Sequence, residues 1–437
     1  MPQLPFRTKV HYGMAGLTMN LPDLIIMQWL LVRYVPPEGN HLVPAALFGF
    51  TILLARVVEG VSCTIIGHQS DVCRSRWGRR LPFMRFGIIP FALVFFVLFM
   101  PPVAHMHWLN AVYAFVLVQL YFVLYGVVIT PYLALLPEIT SNLKERVDLT
   151  TSQSLFMLIA TILFTTAGAV LQRWGWAALI GGATILMVAF YVPAATRLKE
   201  KAQPAVPDEQ KLRYLESIWL ALKNRPFRYV LASTALYWFG LNGTILLVPH
   251  WTIGFLGRSA DDVTKLMVPF LVVNVIFFFV FNALAAKVGK YVLMLATFLA
   301  SGAVMLALCL VGHLPFASDF VQSAMIMALF GAPVAGFMVL PFAVLGDVVD
   351  HDEELTGRRR EAIFFGVQGI FQKLFIGVSV LTFTLVGYLG GVGAGTSPTP
   401  HGMKIMALLC GLSALAAFCV FIKYPIRERD GKIFLVH

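Results

Sequence analysis

Apolar stretches, each long enough to cross a lipid bilayer as a helix, recur twelve times along this chain of 437 residues. Such a helix needs about 20 consecutive residues that are mainly apolar. Because 59% of the residues are apolar and only 13% are charged, the sequence predicts an all-α polytopic membrane protein with twelve transmembrane helices. We place the spans at about 12–34, 42–67, 83–103, 109–137, 151–172, 175–195, 229–256, 266–286, 291–312, 320–346, 362–391 and 403–424.

The net charge of +11 follows the predicted topology. Of the 33 Lys and Arg residues, 26 fall on the side of the membrane that holds the N-terminus and five on the other, while Arg56 and Lys373 lie inside spans. Cytoplasmic loops carry an excess of Lys and Arg. We therefore expect both termini in the cytoplasm, the chain in the plasma (inner) membrane, and no nucleic-acid partner.

A polar interruption at 196–228 separates two sets of six spans, which predicts halves at 1–195 and 229–424 and a cytoplasmic tail at 425–437. Within the interruption, Asp208 to Asn224 has apolar residues at helical spacing. We expect an amphipathic helix on the membrane surface there, with a partner-binding helix as the alternative.

The two halves also resemble each other in sequence. The matching segments are Trp77-Gly78-Arg79 with Val288-Gly289-Lys290, Pro131 to Leu135 with Pro341 to Leu345, and Gln153 with Gln368. Six helices repeated in parallel resemble the plan of the major facilitator fold, which implies halves that rock about a solute site near the midplane.

The second span carries two charges, Arg56 and Glu59, and runs into a basic turn, residues 71–83. An ionised side chain at mid-bilayer depth costs roughly 3 kcal/mol, so such residues usually face a bundle interior or a wet cavity and serve transport. Their spacing of three also allows a static ion pair that only supports packing. Both interpretations remain open.

These segments, with Pro131-Tyr132, Pro137-Glu138, Glu145-Arg146, 346–350 and Lys373, resemble the glycoside–pentoside–hexuronide:cation symporter family. The resemblance implies secondary transport of a small organic solute by alternating access, coupled to a cation. The family's cation site has two acidic residues one turn apart on helix 2, whereas this chain has Glu59 and Cys63. A threonine position of helix 4 aligns with Gly126. Because sodium prefers oxygen ligands and burial disfavours a charged carboxylate, we expect Glu59 to couple to protons rather than to sodium.

Solute-binding positions that follow from the resemblance are Asn20, Ile129, Leu133 and Ser154, a set with fewer polar groups than sugar hydroxyls need. This favours either a glycoside-like solute or a more amphiphilic one, such as a lysophospholipid. From the residues themselves, Asp23 beside Pro22 is a candidate for the cavity and for the coupling ion, with an interhelical hydrogen bond that only supports packing as the alternative. On helix 7, Tyr237, Trp238 and Asn242 are further candidates for the solute, with packing or the interfacial aromatic belt as the alternative. On helix 11 the candidate is Lys373, with Gln368 and Gln372 nearby. Its alternatives are a counter-ion to Asp23 or Glu59 and a side chain that snorkels to the membrane surface.

Charged residues near the cytoplasmic ends of the helices are candidates for a gate of ion pairs between the halves. The alternative is a solvated charged loop. The candidates are Asp71, Arg74, Arg76, Arg79, Arg80, Glu138, Arg146, Asp347 and Asp350.

A second class of function is a transporter-like sensor or scaffold that carries no cargo. We do not expect an enzyme, because HExxH, GxSxG and paired catalytic motifs do not occur. The five cysteines form no CxxC pattern or disulfide framework, so we expect no metal and no cofactor. The expected partners are the solute, a coupling cation and the bilayer, and we expect a monomer.

Overall fold

The computed structural model describes residues 4–140, 142–198, 200, 219, 221–313, 315, 317–356, 361–387, 398–429 and 432–435. Within these residues, twelve helices are long and apolar enough to cross a membrane, which confirms the predicted number. They are α1 Phe6–Tyr34, α2 Ala45–Val72, α3 Leu81–Leu98, α4 Trp108–Ile139, α5 Leu143–Thr165, α6 Ala167–Arg197, α7 Arg225–Phe255, α8 Ala260–Val288, α9 Lys290–Leu310, α10 Asp319–Thr356, α11 Glu361–Val386 and α12 Pro400–Ile422.

Several helices are longer than the apolar stretches that predicted them. The helix α10 continues to Thr356, beyond the predicted end at 346, and α5 begins at Leu143 rather than at 151. The break between α5 and α6 lies at Thr166, so residues 167–172, which we predicted to end the fifth span, begin the sixth helix instead. Helical backbone hydrogen bonds do not depend on an apolar side chain, so a helix can extend past the apolar region. Within α6, Gly175 has φ 77° and divides the helix into two parts at a kink, a conformation that glycine adopts without steric cost.

The described chain forms two compact units. The N-terminal unit contains α1 to α6 with residues 259–264, and the C-terminal unit contains α7, most of α8, and α9 to α12. In the N-terminal unit, α1 packs against α5 and α6, and α3 packs against α4 and α6. In the C-terminal unit, α7 packs against α11 and α12, and α9 packs against α10 and α12. The same pairs recur six helices later, as the repeat in the sequence predicts.

The first helix of each half contains one π-helical turn. It covers Ile26–Leu30 in α1 and Trp251–Phe255 in α7. Pro22 and Pro249 lie shortly before these turns. Proline has no backbone N–H and disturbs the i→i−4 ladder, and single π-turns inside helices frequently mark functional sites.

After α12 the chain forms a small sheet that the sequence does not predict. The strands β1 Ile426–Arg429 and β2 Lys432–Leu435 pair as an antiparallel ladder. Each strand has only four residues, too few to show the longer alternation that would identify a strand from the sequence. The predicted surface helix at Asp208 to Asn224 lies mostly outside the described residues, which include only Trp219 and 221–224 of it.

Candidate functional site

One guanidinium is buried between two carboxylates inside the N-terminal unit. Arg56 Nη1 donates a hydrogen bond of 2.8 Å to Glu59 Oε2, and Arg56 Nη2 lies 3.4 Å from Asp23 Oδ1. Arg56 is 4% exposed and Glu59 is 2% exposed, whereas the Asp23 side chain is 28% exposed. We call Asp23, Arg56 and Glu59 the Arg56 cluster. With all three groups ionised, the cluster carries a net charge of −1.

The local sequence explains half of this arrangement and helix packing the other half. Arg56 and Glu59 lie three residues apart on α2, so their side chains meet on one face. Asp23 comes from α1. The Arg56 guanidinium also lies 4.3 Å from the ring centroid of Phe122 on α4, where the ring face attracts a cation. The sequence does not identify Phe122, because an aromatic residue in an apolar helix carries no signal of what it faces.

The two positions that depart from the family's cation site lie next to each other. A Cβ atom on Gly126 would be 3.4 Å from Cys63 Sγ and 3.5 Å from Ser62 Oγ. The packing of α2 against α4 therefore places the Cys63 thiol against Gly126. The resemblance implies a carboxylate and a threonine hydroxyl at these two positions, which would supply oxygen to a cation. Among the described residues, no group of three or more His, Cys, Asp or Glu side chains could hold a metal ion.

The predicted solute positions of the N-terminal unit do not form one polar set. Asn20 Nδ2 donates to Met157 O at 2.9 Å and to Thr161 Oγ1 at 3.0 Å, so its amide joins α1 to α5. Ile129 is buried, Leu133 is 45% exposed and Ser154 is exposed. The Asn20 amide thus has partners within its own unit, and its role as a solute ligand stays a prediction.

Packing also accounts for the three candidates on α7. Tyr237 is completely buried, and its hydroxyl lies 2.7 Å from Ser301 Oγ. The rings of Tyr237 and Trp238 both contact Phe337, at centroid distances of 4.0 and 5.3 Å. Asn242 is buried and donates to Ile376 O at 3.4 Å. These contacts hold α7 against its neighbours, as the packing alternative expects, and a role of the three side chains in binding a solute stays a prediction.

The polar residues of α11 are placed differently. Gln368 is 6% exposed, and its Oε1 has no hydrogen-bond partner among the described residues. Gln372 and Lys373 are half-buried one turn further along the helix. The counterpart of Gln368 in the repeat, Gln153, is likewise buried. The Gln368 side chain therefore keeps one buried acceptor that no described residue uses.

The basic turn is held by acidic residues of its own unit. Arg79 Nη2 lies 2.8 Å from Glu138 Oε1, and Arg80 Nε lies 3.0 Å from the same oxygen. Arg80 Nη2 also pairs with Asp71 Oδ1 at 2.7 Å. Further along the same end of the unit, Arg146 Nε donates to Thr140 O at 3.0 Å.

The other gate candidates have separate surroundings. Arg74 is exposed, and Arg76 is exposed with its guanidinium 4.3 Å from the ring centroid of Trp77. In the C-terminal unit, Asp347 Oδ1 accepts a bond of 2.5 Å from Lys290 Nζ, while Asp350 is exposed. The ion pairs of the gate candidates thus join elements within a unit, and pairs between the halves stay a prediction.

Comparison with known proteins agrees with this fold. Residues 11–428 match the family model described as MFS/sugar transport protein. The isoprimeverose transporter of Lactiplantibacillus pentosus is 27% identical, over 93% of this chain and 85% of its own length. The glucuronide carrier protein homolog of Escherichia coli (strain K12) is 25% identical, over 99% of this chain and 95% of its own length.

A crystal structure of a D-xylose-proton symporter has the same fold, with a TM-score of 0.68 at 15% identity, covering 98% of this chain and 99% of that one. The protein is therefore an integral membrane protein of a family of secondary transporters. The chain belongs to the MFS/sugar transport family, and within the major facilitator superfamily to the glycoside–pentoside–hexuronide:cation symporters.

Proposed function

We propose that this protein is a proton-coupled symporter that moves a glycoside-like organic solute by alternating access, with both termini in the cytoplasm. The observation that carries the proposal is the Arg56 cluster, a buried guanidinium between two carboxylates, beside two cation-site positions that hold Cys63 and Gly126 in place of oxygen ligands. Relatives named for isoprimeverose and glucuronide transport support the class of solute.

The coupling step follows from the charge of the cluster. A buried ion pair is tolerable only while each charge keeps its partner. A proton on Glu59 neutralises that carboxylate and weakens its hold on Arg56. The guanidinium then moves toward Asp23, which already lies 3.4 Å away. The net charge changes from −1 to zero, so the proton state of Glu59 alters which contacts Arg56 makes between α1 and α2.

Sodium coupling has less support at this site. Sodium would have to replace its water shell with protein oxygens. The α2 position one turn after Glu59 offers the Cys63 sulfur, and the facing position of α4 is Gly126. A proton needs only one titratable carboxylate, which Glu59 provides.

The solute would meet few polar side chains in the N-terminal unit. Asp23 is partly exposed, whereas Ile129 and Leu133 are apolar. In the C-terminal unit, the solute candidates are Lys373 and Gln368, whose Oε1 has no partner among the described residues. This composition favours a glycoside with an apolar aglycone over a free hexose, and the exposed Leu133 also favours an amphiphilic solute as a second candidate.

Purified protein in proteoliposomes would test the proposal with radiolabelled isoprimeverose, an aryl glucuronide and a lysophosphatidylcholine. We expect accumulation of a glycoside under an imposed proton gradient and its loss when an uncoupler is added. Glu59→Gln should abolish accumulation but keep solute exchange at equal concentrations, since exchange requires no net proton movement. Glu38→Gln, in the exposed loop after α1, is the matched control.

Three outcomes would contradict the proposal. Accumulation driven by a sodium gradient alone would exclude proton coupling. Uptake by Glu59→Gln with the pH dependence of the wild type would show that Glu59 does not bind the coupling proton. Absence of both uptake and exchange in folded protein, for every solute, would favour the sensor or scaffold.

A further inference from the structure

We propose that Glu200 is the positioning residue of the basic turn, and that its carboxylate holds the turn where Arg79 and Arg80 can pair with Glu138. The inference rests on the proposed function for the part that the turn plays in transport. Its structural part stands on contacts within the N-terminal unit alone.

The carboxylate of Glu200 accepts three backbone hydrogen bonds from the turn. Its Oε2 accepts from Arg79 N at 2.6 Å, and its Oε1 accepts from Arg80 N and Leu81 N, both at 2.7 Å. Bonds of this length between amide donors and a carboxylate are charge-assisted and stronger than neutral ones. Glu200 follows the end of α6 at Arg197 by three residues.

The start of α3 lacks a cap of its own. The N-cap residue is Arg80, whose side chain makes no capping bond and contains no acceptor. The first N–H groups of a helix have no partner inside the helix, and a carboxylate at this end is also favoured by the helix dipole. Glu200 therefore supplies from a distant segment the acceptor that the local sequence does not provide.

The turn is shaped around this carboxylate at Gly78. The residue has φ +112°, and a Cβ atom there would lie 2.4 Å from Glu200 Oε2. Glycine is thus required both by the backbone conformation and by the close approach of Glu200.

The same residues that bind Glu200 through their backbone carry the ion pairs of the turn. The Arg79 and Arg80 side chains contact Glu138 at 2.8 and 3.0 Å. The position of the backbone determines where each arginine side chain begins. Without the hydrogen bonds to Glu200, the backbone of the turn would move more, and Arg79 and Arg80 would form their ion pairs with Glu138 for less of the time. The partner at Glu138 is almost fully buried, so its ion pairs matter more than surface pairs do.

The C-terminal unit repeats the arrangement with different chemistry. After α12, the chain returns so that the Arg427 guanidinium lies 3.4 Å from the ring centroid of Tyr291. The preceding residue, Lys290, forms the ion pair with Asp347. In each half, a residue after the sixth helix contacts the start of the third helix, next to an ion pair with an acidic residue in the C-terminal third of the fourth. A contact built twice from unlike residues argues for a role in the transporter's cycle rather than for local capping alone.

The reactivity of Cys73, a half-buried thiol in the basic turn, reports whether the turn is held. We would measure the labelling rate of Cys73 by a water-soluble maleimide, resolved by mass spectrometry, in full-length protein in nanodiscs. Glu200→Ala should raise the rate about fivefold, the factor for one net hydrogen bond, and Glu200→Gln should raise it less. Glu38→Ala, before α2 and thus at its other end, is the control and should match the wild type. An unchanged rate in Glu200→Ala overturns the proposal.

A double-mutant cycle separates positioning from simple stabilisation. If Glu200 acts on the ion pairs, Glu200→Ala should lower the apparent Tm less in a Glu138→Gln background than in the wild type. Strictly additive losses would overturn the positioning role. Neither measurement needs a substrate, so both decide the inference even if proton symport fails. Where symport is observed, Glu200→Ala should slow uptake severalfold while the pH profile set by Glu59 stays the same. A normal uptake rate would overturn the link to transport.

Discussion

The ammonium of Lys290 lies 2.5 Å from the carboxylate of Asp347, and this pair repeats the one between Arg79 and Glu138. In each half, a basic residue at or just before the start of the third helix binds an acidic residue in the C-terminal third of the fourth. The basic partners are 211 residues apart and the acidic partners 209, close to the offsets of the repeat in the sequence. The two halves thus keep one ion pair at equivalent places although Lys has replaced Arg.

Removing either partner of the Lys290–Asp347 pair should destabilise the C-terminal unit modestly. Both side chains are partly exposed, so Lys290→Met or Asp347→Asn should each cost about 1 kcal/mol of unfolding free energy. The double variant should lose about as much as one single variant, because the first substitution already removes the interaction. Thermal unfolding in detergent would measure this coupling, and additive losses would show that the pair contributes nothing.

Arg56→Ala should destabilise the N-terminal unit far more. Without Arg56, Glu59 would be a buried charge lacking its bonded partner, which typically costs about 3–5 kcal/mol. Arg56→Ala combined with Glu59→Ala should recover part of the loss, since no uncompensated charge remains. Denaturant unfolding would compare the variants with Arg74→Ala, an exposed arginine for which we expect no measurable change. Equal losses in the single and double variants would contradict a paired cluster.

Cys63→Asp should introduce sodium sensitivity. The substitution places a second carboxylate one turn after Glu59, next to Gly126, and supplies oxygen to a hard cation. Sodium at a hundred times its Kd would add about 2.7 kcal/mol to the unfolding free energy, seen as a sodium-dependent rise in Tm. Cys63→Asn has the same shape without the charge and should respond weakly. If the Tm of Cys63→Asp does not change with the sodium concentration, this position is not a cation site.

Alanine substitutions at two glycines with positive φ, Gly78 and Gly289, would distinguish the cost of backbone strain from the cost of a clash with Glu200. Gly78 has φ +112° and meets Glu200, whereas Gly289 has φ +87° and no described atom within 4 Å of the place where a Cβ would lie. Gly289→Ala should therefore lower the unfolding free energy only by the cost of placing a Cβ on a left-handed backbone, about 1–2 kcal/mol. Gly78→Ala should lower it by more, because the new Cβ also meets Glu200. In a Glu200→Ala background the two losses should become similar. Thermal unfolding measures all four variants, and a difference that persists would assign the extra cost of Gly78→Ala to another contact.

His41 should make stability depend on pH. It lies in the loop between α1 and α2, and burial lowers the pKa of its imidazole below the ordinary value, opposed by a hydrogen bond to the Pro36 backbone. The unfolded chain binds a proton near pH 6.5 while the folded chain does not, so stability is full above that pH and falls as the pH drops toward the folded pKa. His41→Gln should flatten the decrease in Tm between pH 7 and 5, and His105→Gln, an exposed control, should not. Parallel curves for wild type and His41→Gln would contradict this prediction.

The sequence by itself determined the features that depend on neighbours along the chain. The length of each apolar stretch predicts a membrane helix, because a span must satisfy its own backbone hydrogen bonds. The spacing of three between Arg56 and Glu59 predicts that they meet, and the structure places them 2.8 Å apart. The repeat at Gly78 and Gly289 likewise follows from the sequence alone.

Tertiary structure decided which side chains are available and which are already bound. Asn20 and Tyr237 resemble solute ligands in the sequence, but helix packing gives their polar groups partners in α5 and α9. Glu200 lies 119 to 121 residues from its three donors, and no local pattern links them. The physical reason is that a buried polar group must find a partner wherever packing brings one, and that choice depends on the three-dimensional arrangement of the helices.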